Sequence, residues 1–149
     1  MVKNKSYIWE INRKVIINSP ISKVWDIISS ESHLEKFNPF CKKNEVKEWV
    51  SNSHKDIVTY YNNRILHRDF YRWLEGEGFD LIIGDSTGND SHVSWRLSNK
   101  DSKTLASITI KHYFYNKGSI LYNFIRFFNI FIHKLDYYLF SFLFQIELI

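Results

Sequence analysis

The sequence predicts an α+β domain: an antiparallel sheet of seven strands packed on one long C-terminal helix, with two short helices after the first strand. Three observations carry this. Residues 119–149 contain no Gly and no Pro, and apolar residues recur there in steps of three and four: Leu121, Phe124, Ile125, Phe128, Phe131, Ile132, Leu135, Tyr138, Leu139, Phe142, Leu143, Ile146 and Ile149. At about 100° per residue these form one uncharged stripe, while Asn123, Arg126, Asn129, His133 and Asp136 fall opposite. Between residues 45 and 115 short alternating segments are separated by turn residues at hairpin spacing, which favours an antiparallel meander. All five glycines lie between Gly76 and Gly118, at those turns.

The elements follow in order. Tyr7 to Ile17 alternates as a strand, with Tyr7, Trp9, Ile11, Val15 and Ile17 on one face. Asn18-Ser19-Pro20 ends it, and Ser19 is placed to cap a helix whose first turn accepts Pro20. That helix runs from Ile21 to Ser29 and presents Val24, Trp25, Ile27 and Ile28. Ser30 or Ser32 caps a second short helix holding Leu34 and Phe37, which Asn38-Pro39 stops. Strands are expected over Glu45–Val50, Asp56–Tyr61, Arg64–Leu74, Phe79–Ile83, Ser91–Ser98 and Thr104–Tyr115. Ser51 to Lys55 reads as a polar loop, and Asn62-Asn63 as a tight turn because Asn tolerates positive φ.

Composition narrows the function. The 149 residues form one domain, and 44% hydrophobic and 17% aromatic content excludes disorder as the main state. The single cysteine, Cys41, permits no intrachain disulfide, and a cytoplasmic location is expected. The N-terminus shows no signal-peptide core. Charged residues such as Arg126, Lys134 and Asp136 interrupt the C-terminal stretch, so a membrane span is not expected. The net charge of +4 is scattered, with no stripe for nucleic acid. The six histidines lack paired ligand spacing, so no metal and no cofactor are expected.

Several residues carry candidate chemistry. His112 shares an apolar strand face with Ile108, Ile110 and Phe114. It either orients a ligand or moves a proton, or it is a hydrogen-bonded core histidine. His67, Asp69, Tyr71 and Trp73 alternate on one face of the long strand, so Asp69 is a second acid/base candidate. If the face of Leu66 and Phe70 points inward instead, the His/Asp set is solvated, and a bulge can switch the faces. Arg72 is a candidate carboxylate anchor or a surface partner of Trp73. Trp9, Trp73 and Trp95 either line a cavity or fill an aromatic core, and Phe37 and Phe40 are candidates to line it or to pack against the helix end. Phe128 and Leu135 face any such cavity from the C-terminal helix.

The local sequence resembles a known superfamily. Val15 to Ile28, with its strand, Ser19-Pro20 turn and Val24-Trp25 helix, resembles the opening motif of the START-like (SRPBCC, Bet v 1-like) proteins. Leu34 to Phe40 resembles their second helix and following loop. Tyr71 to Leu81 and Val93 to Leu97 resemble strands of the polyketide cyclase/dehydratase-like branch. The resemblance implies the helix-grip fold: seven antiparallel strands curled around the terminal helix, with a hydrophobic cavity between them. It implies no shared catalytic set, since the superfamily spans lipid carriers, receptors, allergens and aromatase/cyclases. The terminal helix is more aromatic than gripping requires, so its own rings are candidates to fill the cavity.

The expected function is binding of a small hydrophobic or amphipathic ligand of lipid, polyketide or isoprenoid type. One alternative is a cyclase or dehydratase using His112 or Asp69. Another is an interaction module with a filled cavity, forming a homodimer or touching a membrane through the C-terminal helix.

Overall fold

A computed structural model describes residues 10–88 and 90–111. The order is β1 (Ile11–Ile17), α1 (Ile21–Ile28), α2 (Leu34–Phe37), β2 (Cys41–Val50), β3 (Ser53–Tyr60), β4 (Ile65–Leu74), β5 (Gly78–Gly84), β6 (Asp90–Lys100) and β7 (Lys103–Lys111). All seven strands form one antiparallel sheet in the order β1-β7-β6-β5-β4-β3-β2. From β2 to β7 every neighbour is the next strand in the chain, as hairpin spacing predicts. β1 instead pairs with β7, so α1 and α2 carry the chain from one edge of the sheet to the other. The C-terminal helix expected over 119–149 lies outside the described residues, as does the Tyr7 end of the first strand.

The core follows from alternation. β6 buries Ser91, Val93, Trp95 and Leu97 in strict period two. Across it stand Leu81 and Phe79 of β5 and Ile110, Ile108 and Ala106 of β7. α1 lays Val24, Trp25 and Ile28 on this face, near β6 and β7. Burying a side chain such as Phe79, 1% exposed, contributes roughly 2–3 kcal/mol. Gly78 opens β5 at φ +141, where a Cβ would sit 2.0 Å from the Trp95 carbonyl oxygen; only glycine fits.

Three local expectations are corrected. Pro20, not Ser19, is the N-cap of α1, and Ser19 is buried with its carbonyl accepting the Thr104 hydroxyl at 2.7 Å. β2 starts at Cys41, four residues early, and Ser51 to Lys55 is no loop: Val50 pairs with Ser53 across a two-residue turn. β3 hid its beginning because its inward residues there, His54 and Asp56, are polar yet buried. The third concerns the cap of α2. His33 is its N-cap, and Asn44 of β2 accepts from the Leu34 backbone N–H at 3.3 Å, with Glu35 Oε1 accepting from the Asn44 N–H at 2.5 Å. The cap is thus supplied across the fold, not by Ser30 or Ser32.

Candidate functional site

β4 decides what faces inward. Its first part buries Arg68 and Phe70 and leaves His67, Asp69 and Tyr71 exposed. A bulge between Phe70 and Arg72 then shifts the register. Beyond it Trp73 turns in, and Arg72 turns out to reach Asp80 at 3.7 Å. Asp80 also pairs with Arg96 at 2.6 Å. Asp69 and Arg72 therefore stand on the outer face, away from the interior. An inward Asp69 would have forced Phe70 into water.

The inner face divides into two regions. Near α1 it is filled by rings. Trp73 stacks on His54 at 3.8 Å and on Phe79 at 5.5 Å, and meets Trp25 edge-on at 5.3 Å. Trp49 meets Phe70 edge-on at 5.4 Å. Glu75 accepts both indole N–H groups, from Trp25 at 2.8 Å and from Trp73 at 3.0 Å, and so fixes the two rings relative to each other. Burial lowers the His54 pKa, and the nearby Glu75 charge opposes that.

Near α2 the described residues leave space. A cavity of about 320 Å³ lies beneath α2 and the loop after it. Leu81 and Ile83 of β5, Val93 and Trp95 of β6, and Ile108 and Ile110 of β7 form its apolar wall. Leu34, Phe37, Asn38, Pro39 and Phe40 border it from the helical side. Its polar groups are Arg68 of β4, Tyr60 of β3 and Asn38.

Arg68 anchors a buried network that sequence reading did not find. Its Nε donates to Asp56 Oδ1 at 2.7 Å, and its Nη2 donates to Asp56 Oδ2 and, at 3.2 Å, to Asn44 Oδ1. Its Nη1 lies 3.1 Å from His33 Nε2. A guanidinium only donates, so His33 Nε2 accepts and its Nδ1–H donates to the Ser30 carbonyl at 3.0 Å. This fixes a neutral tautomer. Burial, and then the Arg68 charge, hold the His33 pKa well below its usual value. Among the described residues four of the five Arg68 N–H groups find partners, and one Nη1–H finds none on a side chain that borders the cavity. Burial also raises the Tyr60 pKa, which keeps its phenol protonated and able to donate.

Of the residues expected at a site, Phe37, Phe40 and Trp95 line the cavity and Trp73 lies in the ring-filled region. Trp9, His112, Phe128 and Leu135 lie outside the described residues. Arg68 and Tyr60 were missed because an arginine inside an alternating strand reads as an edge charge. The usable signal was the Asp56/Arg68 pair, set opposite once β3 and β4 form a hairpin. Among the described residues no group of three or more His, Cys, Asp or Glu could hold a metal ion, and no helix is long and apolar enough to cross a membrane.

No protein-family profile matches the sequence, and no curated protein matches it. Solved structures do. The Zhui aromatase/cyclase from Streptomyces sp. R1128 superposes with a TM-score of 0.58 at 15% identity, over 68% of this chain and 66% of that one. CalU16 from Micromonospora echinospora gives 0.54 at 16% identity, over 69% and 60%. Ara h 8.0201 gives 0.57 at 13% identity, over 68% and 75%. The chain thus spans less than two thirds of the length of Zhui and of CalU16. Over the described residues, the seven-stranded antiparallel sheet with its two connecting helices has the Bet v 1-like α+β fold of these neighbours.

Proposed function

We propose that the chain binds a small, mainly apolar molecule in the cavity beneath α2, with an uncharged oxygen of the ligand accepting from Arg68 and Tyr60. The observation that carries this is a buried guanidinium beside an apolar wall, with one N–H that finds no partner among the described residues. A buried donor without a partner costs about 1–3 kcal/mol, which a ligand acceptor would recover. Asp56 already neutralises Arg68, so a second buried anion would lack a counter-charge. A ketone, quinone or phenol oxygen fits better than a carboxylate. Apolar burial at about 25 cal/mol per Å² would supply most of the affinity.

Nile red, uncharged, planar and carrying one carbonyl oxygen, is a suitable probe. Saturable fluorescence enhancement is expected. Ile108→Trp should abolish it by filling the cavity, and Tyr60→Phe should weaken it about three- to tenfold, the equivalent of one hydrogen bond. Binding unchanged in Ile108→Trp would remove the cavity as the site.

A cyclase-type reading draws support from the aromatase/cyclase named among the structural neighbours. In it the same donors would polarise a ligand carbonyl, and the neutral His33 would act through Arg68. Turnover of a polyketide-like substrate that Tyr60→Phe lowers in rate, with unchanged substrate affinity, would favour this reading over simple carriage.

A further inference from the structure

The mouth of the cavity carries a second feature. Two loops meet there: Asn38–Phe40, which leads into β2, and the β3–β4 turn, where the Tyr61 N–H donates to the Phe40 carbonyl at 3.1 Å. Six large hydrophobic residues are exposed among the described residues, and three of them sit together here: Phe40 at 55%, Tyr61 at 67% and Ile65 at 53%. Positions 40–43 and 61–65 contain Lys42, Lys43 and Arg64 and no acidic residue. Lys42, Lys43 and Arg64 are all exposed. The register sets Lys43, Thr59 and Ile65 side by side across β2, β3 and β4, so charge and apolar surface share one end of the sheet. Lys43 reaches Glu45 at 3.4 Å, an exposed pair that is cheaply given up. At the opposite end of β2, Val50 is the exposed apolar residue, and the neighbouring Glu48 and Lys55 pair with each other.

We propose that this end docks on an anionic lipid surface, with Phe40, Tyr61 and Ile65 at the headgroup level and Lys42, Lys43 and Arg64 against the lipid phosphates. Aromatic rings settle at that depth because one edge is wet and the other apolar. Basic side chains add attraction that falls off within a Debye length. The docked face is the cavity mouth, since Phe40 belongs to both. An apolar molecule could then pass between bilayer and cavity without crossing bulk water. Docking itself does not depend on the ligand reading.

Co-sedimentation with phosphatidylcholine vesicles, with and without phosphatidylserine, tests this. The full chain should bind the phosphatidylserine vesicles and lose binding as salt is raised. The double substitution Phe40→Ser, Tyr61→Ser should reduce binding about tenfold or more on both vesicle types. Lys42→Glu with Lys43→Glu should remove the preference for phosphatidylserine, at least about tenfold. All four side chains are exposed, so melting temperatures should stay unchanged and a folding failure would be visible. No vesicle binding, or binding that both double variants retain, overturns the proposal. So does a concentration-dependent dimer that Phe40→Ser, Tyr61→Ser dissolves. Nile red binding in solution without vesicle binding would overturn docking and leave the ligand reading intact.

Discussion

The two regions of the inner face are built from the same strands and behave oppositely. Beside α1, β4 and β5 present Trp73 and Phe79, and the rings of Trp25, Trp49 and His54 close over them. Beside α2, the same strands present Arg68, Leu81 and Ile83, and a cavity remains. The difference is side-chain size on one side and a fixed polar frame on the other. Four of Arg68's five donors are committed to Asp56, Asn44 and His33, so the guanidinium cannot swing out to fill space. Rings adjust their tilt to close gaps. An ion pair held by four hydrogen bonds keeps its position and leaves the gap. A polar network at the edge of an apolar cavity thus keeps the cavity open and supplies its orienting donor.

The largest effect should come from that frame. Arg68→Met leaves Asp56, 1% exposed, as an unpaired buried charge, and should cost about 3–5 kcal/mol in urea unfolding. Adding Asp56→Leu should recover part of the loss, because the double change removes both charges. No recovery in this cycle would mean that the two regions do not differ in how they are held.

Cavity-creating substitutions should separate the regions next. Phe79→Ala in the ring-filled region should cost about 3 kcal/mol or more, because close-packed neighbours cannot collapse onto the void. Ile108→Ala, at the edge of existing empty space, should cost about 1–2 kcal/mol, since it forfeits fewer contacts. Equal losses by thermal melting would mean that the cavity wall is packed as tightly as the core.

The smallest effect is in pH. The unfolded His33 takes up a proton below about pH 6.5, while the folded one resists until well below that. Stability from this group is therefore complete above about 6.5 and declines as pH falls toward the folded pKa, by up to about 1.4 kcal/mol per pH unit. His54 adds a weaker contribution of the same sign. His33→Gln keeps one donor for Ser30 and one acceptor for Arg68, so it should flatten the slope to the part left by His54. An unchanged slope in that variant would show that His33 is not the titrating group.

How much was legible divides along the same line. Apolar alternation placed β6 and β7, and turn residues placed most of the hairpins. Asn63 takes the positive φ its turn suggested, and Gly76 lies at the turn expected there, also at positive φ. The α1 helix appeared in the sequence because Val24, Trp25 and Ile28 recur at helical spacing. The start of β3 did not, because His54 and Asp56 are inward but polar. Asp69 and Arg72 drew attention as isolated charges on a strand, yet the bulge after Phe70 sends Arg72 to the outer face, and Asp69 was never inward.

What the sequence determined by itself is the class of architecture, since period and turn chemistry are local properties of the chain. Which polar residues go inside was decided only in three dimensions. Arg68 is stable in the interior because Asp56 lies directly opposite it in the β3–β4 ladder and Asn44 and His33 arrive from β2 and the α2 cap. A buried charge is tolerated only when its partners are in place, and those partners are spread from residue 33 to residue 68, assembled by pairing that no single stretch of sequence displays.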